Sequence, residues 1–336
     1  MVFVGAVILP HGAMSFDGQG EESSSKSCSN RYAGLPKDLK VDLSSLFTAC
    51  TKAAEWMTKL QPDVVILHTP HGICLSNSIG VYLNGVAKGS ALWNDEWSEF
   101  EVDLPLDNEL GLKILRQFEE DKLQAEGVNC FSRTEAPLRW GEVVPLWYLQ
   151  NGFKKAGCQP KYVLLSQSLK KYGADVDEER IAIGKSLAAV IEAVDVKVAV
   201  AISGDLSHAH QHSHDIPLYL PDPRWSMPVS EKAEIFDRAI EGWGRSCDAN
   251  LIESNGQLPF CNQAMKWDVV LARKWLDFAS GLQTVARSCG IGGFVVLHGL
   301  LSKYSEKNST HSQVFGRFAP TYYGMMAVVF SIKSKE

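Results

Sequence analysis

Three places in this sequence hold histidine where side chains can meet a ligand. His11 stands in Leu9-Pro10-His11-Gly12, His71 in Thr69-Pro70-His71-Gly72, and His208 closes Gly204-Asp205-Leu206-Ser207-His208. Each follows an apolar run (residues 2–9, 63–68 and 196–203) rich in β-branched and small residues, the mark of a buried strand. Imidazole is a ligand for Fe, Zn, Cu and Ni, and it titrates near neutrality. One such histidine most often only hydrogen-bonds a loop carbonyl. Two at matching strand ends, His11 and His71, point to a shared metal ion. His208 suits proton transfer, with Asp205 three residues earlier to orient the imidazole or stabilise its charge. His68 competes with His71, but alternation along the strand turns it toward a sheet face. His210, His212 and His214 read as bystanders in a solvated loop.

The cysteines form no CxxC pair or tight cluster. That excludes a zinc ribbon, does not resemble a disulfide framework, and suits reduced thiols in a cytoplasmic protein. Cys289 differs from the rest because an apolar helical run, residues 291–301, begins just after it. A helix amino end favours thiolate, so Cys289 is a candidate third ligand; a buried small hydrophobe is its ordinary alternative. Gly290 and Gly292-Gly293 allow an irregular entry to that helix. Glu142 is a second candidate carboxylate. Gly290-Ile291-Gly292-Gly293 lacks the preceding strand and the spacing of a dinucleotide fingerprint, and neither a P-loop nor a Gly-x-Ser-x-Gly elbow is present.

The elements that must position these residues alternate between strand and helix. Residues 2–9 form a strand, residues 17–40 a mobile Ser- and Gly-rich loop, residues 43–60 a helix and residues 63–68 a second strand. This β–α–β unit makes the first two strands parallel neighbours. Residues 78–104 suggest antiparallel strands, and 110–126 an amphipathic helix. Residues 138–149 read as a turn leading into a buried helix. A strand at 161–166, a helix at 175–194 and a strand at 196–203 follow, and then a proline-broken loop at 221–228. Helices at 231–243, 265–279 and 291–301 precede closing strands at 312–318 and 324–332. The expected fold is α/β: a single domain over residues 1–336, with a central mixed, largely parallel sheet flanked by helices.

Composition narrows the function classes. The chain is 45% hydrophobic and 21% charged, as in a folded soluble protein, and its net charge of −6 argues against nucleic acid as partner. No apolar run is long enough to span a membrane. The first ten residues are too short and insufficiently basic for a signal peptide. A homo-oligomer is left open.

Taken in order, these segments resemble the LigB-like superfamily of class III extradiol ring-cleavage dioxygenases and their Memo-type relatives. Residues 9–12 resemble the first-ligand motif and residues 62–72 the second. Residues 138–146 are similar to an Asp-His-Gly-x-x-x-Pro-Leu segment, 203–208 to Ser-Gly-Asp-Leu-Ser-His, 288–301 to the third-ligand helix, and 318–327 to the closing Pro-x-x-x-Gly strand. The resemblance implies a non-haem Fe(II) site that opens a catechol-like aromatic ring with O2, His208 taking a phenol proton. Zn and Cu are the alternative metals. Two positions depart from the pattern: Trp140 stands in place of a second histidine, and Ser288 in place of the ligand Glu. Trp140 is then expected to contact substrate, and Cys289 to replace the missing ligand. The rival reading is a non-catalytic, metal-binding homologue that acts through a protein partner.

Overall fold

The computed structural model describes residues 2–131, 134–168, 177–211, 216–220, 229–253, 258 and 263–334. The expected loops and histidines at 221–228, His212 and His214 lie outside the described residues. In chain order the strands are β1 (Phe3–Leu9), β2 (Val64–Thr69), β3 (Ile79–Tyr82), β4 (Val86–Ser90), β5 (Glu101–Pro105), β6 (Ala125–Val128), β7 (Ala136–Leu138), β8 (Lys161–Ser166), β9 (Val198–Ser203), β10 (Met265–Lys266), β11 (Asn308–Phe318) and β12 (Met325–Ser334). The α-helices are α1 (Lys26–Ala33), α2 (Lys37–Lys59), α3 (Asn108–Glu120), α4 (Trp140–Lys155), α5 (Asp177–Glu192), α6 (Lys232–Arg245), α7 (Asn250–Glu253), α8 (Val269–Gly281), α9 (Gln283–Ala286) and α10 (Ile291–Lys307).

The fold is α/β with a mixed sheet in the order β10-β11-β12-β1-β9-β2-β8-β3-β6, beside a small sheet β5-β4-β7. Its centre, β1-β9-β2-β8, is parallel, while β12, β11 and β10 extend one side antiparallel and β3 pairs antiparallel with β8. Central strands are buried along almost their whole length because helices cover both faces. In β1, Phe3, Ala6 and Ile8 join the core under α3, α5, α6, α8 and α10. Val7 and Leu9 face the opposite core, built with α2, α4 and the small sheet.

Three expectations are corrected. β1 and β2 are not neighbours, because β9 lies between them and pairs with both. Hydrophobic patterning specifies strands but not which distant strand inserts between two others. Residues 17–40 are not a loop: a 3-10 stretch, Ala13–Glu22, leads to α1 and α2. The buried Asp17 carboxylate anchors it, taking bonds from Arg31 Nε (2.9 Å), Trp97 Nε1 (3.2 Å) and Tyr219 OH (2.7 Å). The antiparallel reading of residues 78–104 holds for β4 with β5, but β3 belongs to the main sheet and runs parallel to β6. A smaller difference is that α8 starts only after β10, where Asp268 accepts from Val270 N and Leu271 N as its N-cap.

Candidate metal centre

The carboxyl ends of β1, β9 and β2 lie side by side, and each delivers its residues to the same buried cluster. This is where ligands meet an open α/β sheet. His11 follows β1, Asp205 and His208 follow β9, His71 follows β2, and Cys289 comes in just ahead of α10. The His11 and His71 rings meet edge to face at 4.7 Å between centroids. Cys289 Sγ lies 3.3 Å from His11 Nε2 and 3.5 Å from His208 Nε2. The donor atoms of His11, His71 and Cys289 are all within 4.8 Å of one another, as are those of Asp205, His208 and Cys289. Because β9 intervenes, the two histidines converge above its end, at Ser203, rather than across one strand gap.

Ser203 fixes which nitrogen His11 presents. Its hydroxyl donates to Gly141 O at 2.5 Å, so toward His11 Nδ1, 2.9 Å away, it can only accept. His11 therefore carries its proton on Nδ1 and turns a lone pair on Nε2 toward Cys289. Gly141 serves His71 too. A Cβ there would lie 2.5 Å from His71 Cβ, and Gly141 O also accepts from Thr69 Oγ1, which in turn accepts from His71 N. Sequence reasoning missed Ser203 and Gly141; the only signal was their place beside candidate residues.

Asp205 is placed differently from its expected pairing. Its carboxylate Oδ1 accepts from His11 N at 3.0 Å, Oδ2 lies 3.3 Å from His11 Nε2, and the Gly12 amide adds a further bond. It braces His11 more directly than His208. His208 is held through its backbone, N–H to Ala286 O at 2.8 Å, with its ring against Tyr323 and Tyr322. Trp140 packs at 5.5 Å from the His71 ring and carries Trp93 at 4.6 Å, making an aromatic wall beside the centre. Glu142 does not join the cluster. It caps its own helix at Arg139 N and accepts from Tyr82 OH at 2.9 Å. Ser288 Oγ donates to Asp205 O, His210 pairs with Asp237, and His68 is buried on the other face of the sheet, close to Gly293.

Burial decides the electrostatics. It drives the His11 imidazole well below its ordinary pKa, with repulsion from His71 and His208 adding, and it brings His71 down to about 4 and His208 to about 3. Burial raises Asp205 to about 7. It also pushes the Cys289 thiol well up, helped by Asp205. The helix end therefore does not make Cys289 a thiolate: desolvation outweighs it. Gly290 enters α10 with ordinary torsions (φ −78°), so the glycines serve by close approach. A Cβ on Gly290 would lie 2.7 Å from Asp205 O. Every group here is pressed toward its neutral form, and no lysine or arginine contributes to the shifts of His11, Asp205 or Cys289. Neutral imidazoles, a thiol and a carboxyl gathered in two overlapping groups could hold a metal ion; a bound cation would draw Asp205 and Cys289 back toward their charged forms and keep the imidazoles deprotonated.

Residues 30–254, about two thirds of the chain, match the family described as the catalytic LigB subunit of aromatic ring-opening dioxygenase. The chain belongs to the LigB family. The matched span holds His71, Trp140, Asp205 and His208, while His11 and Cys289 lie outside it. A solved structure, that of the uncharacterized protein JW3007 from Escherichia coli K12, has a TM-score of 0.52 and 13% identity, over 97% of this LigB chain and 99% of that one. At that identity the likeness is one of fold. No curated protein matches the chain.

Proposed function

We propose that the chain is a metal-dependent extradiol dioxygenase that opens a catechol-like aromatic ring with O2. The observation that carries this reading is the convergence of His11, His71 and Cys289 in a LigB chain, with His208 beside them at 3.5 Å from Cys289 Sγ. His11, His71 and Cys289 would hold the ion, Fe(II) by family, with Zn or Cu also suited to imidazole and thiolate. When bound, such an ion would hold a catecholate and O2 side by side, lower the pKa of the phenol and let electron density pass from the catecholate toward O2.

The remaining work falls to side chains. Burial overturns the near-neutral titration expected of His208 and holds it deprotonated; in this reading the neutral imidazole accepts, at Nε2, the proton of a phenol acidified by the metal. Ser203 keeps the His11 lone pair aimed inward, and Asp205 fixes the His11 backbone. Trp140 offers a flat apolar wall for the ring, and Tyr322 and Tyr323 confine His208 on the other side. A reducing, cytoplasmic setting belongs to the same proposal, since it keeps the Cys289 thiol intact. No described helix is long and apolar enough to cross a membrane.

Trp140 and Ser288, which replace a proton-donating histidine and a carboxylate ligand, favour the second reading, a metal-binding homologue that acts through a protein partner. The two separate in one experiment. Protein purified anaerobically and loaded with Fe(II) is given a panel of catechols, and O2 uptake is followed together with the absorbance of ring-opened product. Stoichiometric uptake with product supports the enzyme; bound metal without turnover supports the second reading; protein that takes up no metal refutes both.

A further inference from the structure

The turn that carries His208, residues 204–210, is neither helix nor strand, yet it is held on every side. Leu206 N donates to Gly324 O (2.7 Å), Gly324 N to Ser207 O (2.9 Å) and His210 N to Tyr322 O (2.9 Å). The Ser207 hydroxyl and His208 N both donate to Ala286 O. These are ordinary backbone braces. The remaining contact is of another kind, because it comes from the carboxylate of Asp237 in α6, which is fully buried. Asp237 Oδ1 accepts from Ser207 N at 2.7 Å, and Oδ2 meets His210 Nε2 at 2.7 Å. One side chain therefore grips the residue before His208 and the second residue after it. Gly324 allows the grip: a Cβ there would collide with Asp237 Oδ2.

A buried carboxylate is costly unless its oxygens are engaged, and both oxygens of Asp237 are engaged by the His208 turn. We propose that Asp237, with His210 as its partner, is the positioning residue that sets where the His208 imidazole meets its substrate; this rests on His208 being the proton acceptor. The grip acts on the backbone on either side of His208 and leaves its Nε2 turned to Cys289 Sγ, 3.5 Å away. His210, on this reading, is no bystander.

The test is a double-mutant cycle on Fe(II)-loaded full-length protein. Asp237→Asn keeps the shape and an acceptor for Ser207 N, but removes the charged partner of His210. A misplaced catalytic group costs on the order of tenfold to a hundredfold in rate. The expected result is a kcat fall of about tenfold or more, with KM for the catechol and metal per chain unchanged, and no further loss when Asp237→Asn is added to His208→Ala. An unchanged kcat, or a loss that adds fully on top of His208→Ala, overturns the proposal, since a merely structural residue would act independently of His208. If Asp237→Asn fails to fold, His210→Gln releases the same grip from its more exposed end and is read in the same way. If the wild type turns over no catechol, the functional reading fails while the positioning claim is still decided by NMR of ring-15N-labelled histidine. His208 signals should then shift or split in Asp237→Asn, while those of His298, which is bonded to Trp243 of the same helix, stay in place. Unshifted His208 signals overturn it.

Discussion

At Cys289 two fates compete, ligand and buried apolar side chain, and adjacent substitutions separate them. Cys289→Ala is expected to abolish stoichiometric metal binding, and Ser288→Ala to leave it within twofold of wild type, because the Ser288 hydroxyl is spent on Asp205 O. Elemental analysis after dialysis reads both, and full occupancy in Cys289→Ala removes the ligand assignment. His208→Ala is expected to do the reverse: turnover drops by about a hundredfold, in the range of a lost general base, with metal retained. Equal loss of metal would make His208 a ligand. That His11, His71 and His208 stand at strand ends and Cys289 at a helix start was legible in the sequence; why they converge was not, because β9, not a direct β1–β2 pairing, brings them together. What Asp205 bonds was not legible, because proximity in sequence pointed to His208 while the fold set its carboxylate against the amides of β1's end. Ser203 and Gly141 were equally hidden: their roles are a hydrogen-bond direction and a close approach, which a string of residue types does not encode.

At the level of elements, most helices and strands followed their patterns, and β8 spans Lys161–Ser166 as expected, one residue beyond its apolar run at each end. The largest miss, residues 17–40, comes from reading Ser, Gly and Lys as solvent-facing. Phe16, Asp17 and Cys28 are buried instead. There the order is set by charge: Arg31 reaches Asp17 from one side and Glu96 and Glu99 from the other, with its guanidinium over the Trp97 ring at 4.8 Å. Burial raises Asp17, and Arg31 offsets that by holding the carboxylate charge. Arg31→Ala strands a fully buried acid and is expected to destabilise the fold by about 3 kcal/mol or more, measured by urea unfolding. Asp17→Asn added to it should recover part of that loss. A shift below about 0.5 kcal/mol, the range of an exposed pair, would show that the clamp contributes nothing.

For the molecule as a whole, buried neutral imidazoles set an acid limit. Burial, and more weakly Arg180, lowers His68 to about 4; burial, with Arg273 and Lys185, lowers His298 to about 3. His298 has to stay neutral, since its Nδ1 accepts from Trp243 Nε1 at 3.2 Å. The unfolded chain protonates both near pH 6.5, so the stability they contribute is complete above about 6.5 and is lost as pH falls toward 4 and 3. Unfolding free energy should therefore decline from about pH 6.5 downward, and His298→Gln should flatten that decline by about one proton; an unchanged slope would mean that His298 titrates normally. The sheet order has a consequence for synthesis. β1 is made long before either of its ladder partners, β9 at Val198–Ser203 and β12 at Met325–Ser334. His11 thus stands beside an unpaired, wholly apolar strand until β9 and β12 have been made. A nascent chain arrested before β12 should bind a holdase chaperone through β1 and stay open to protease, whereas a chain extended past β12 lets the sheet close from its middle.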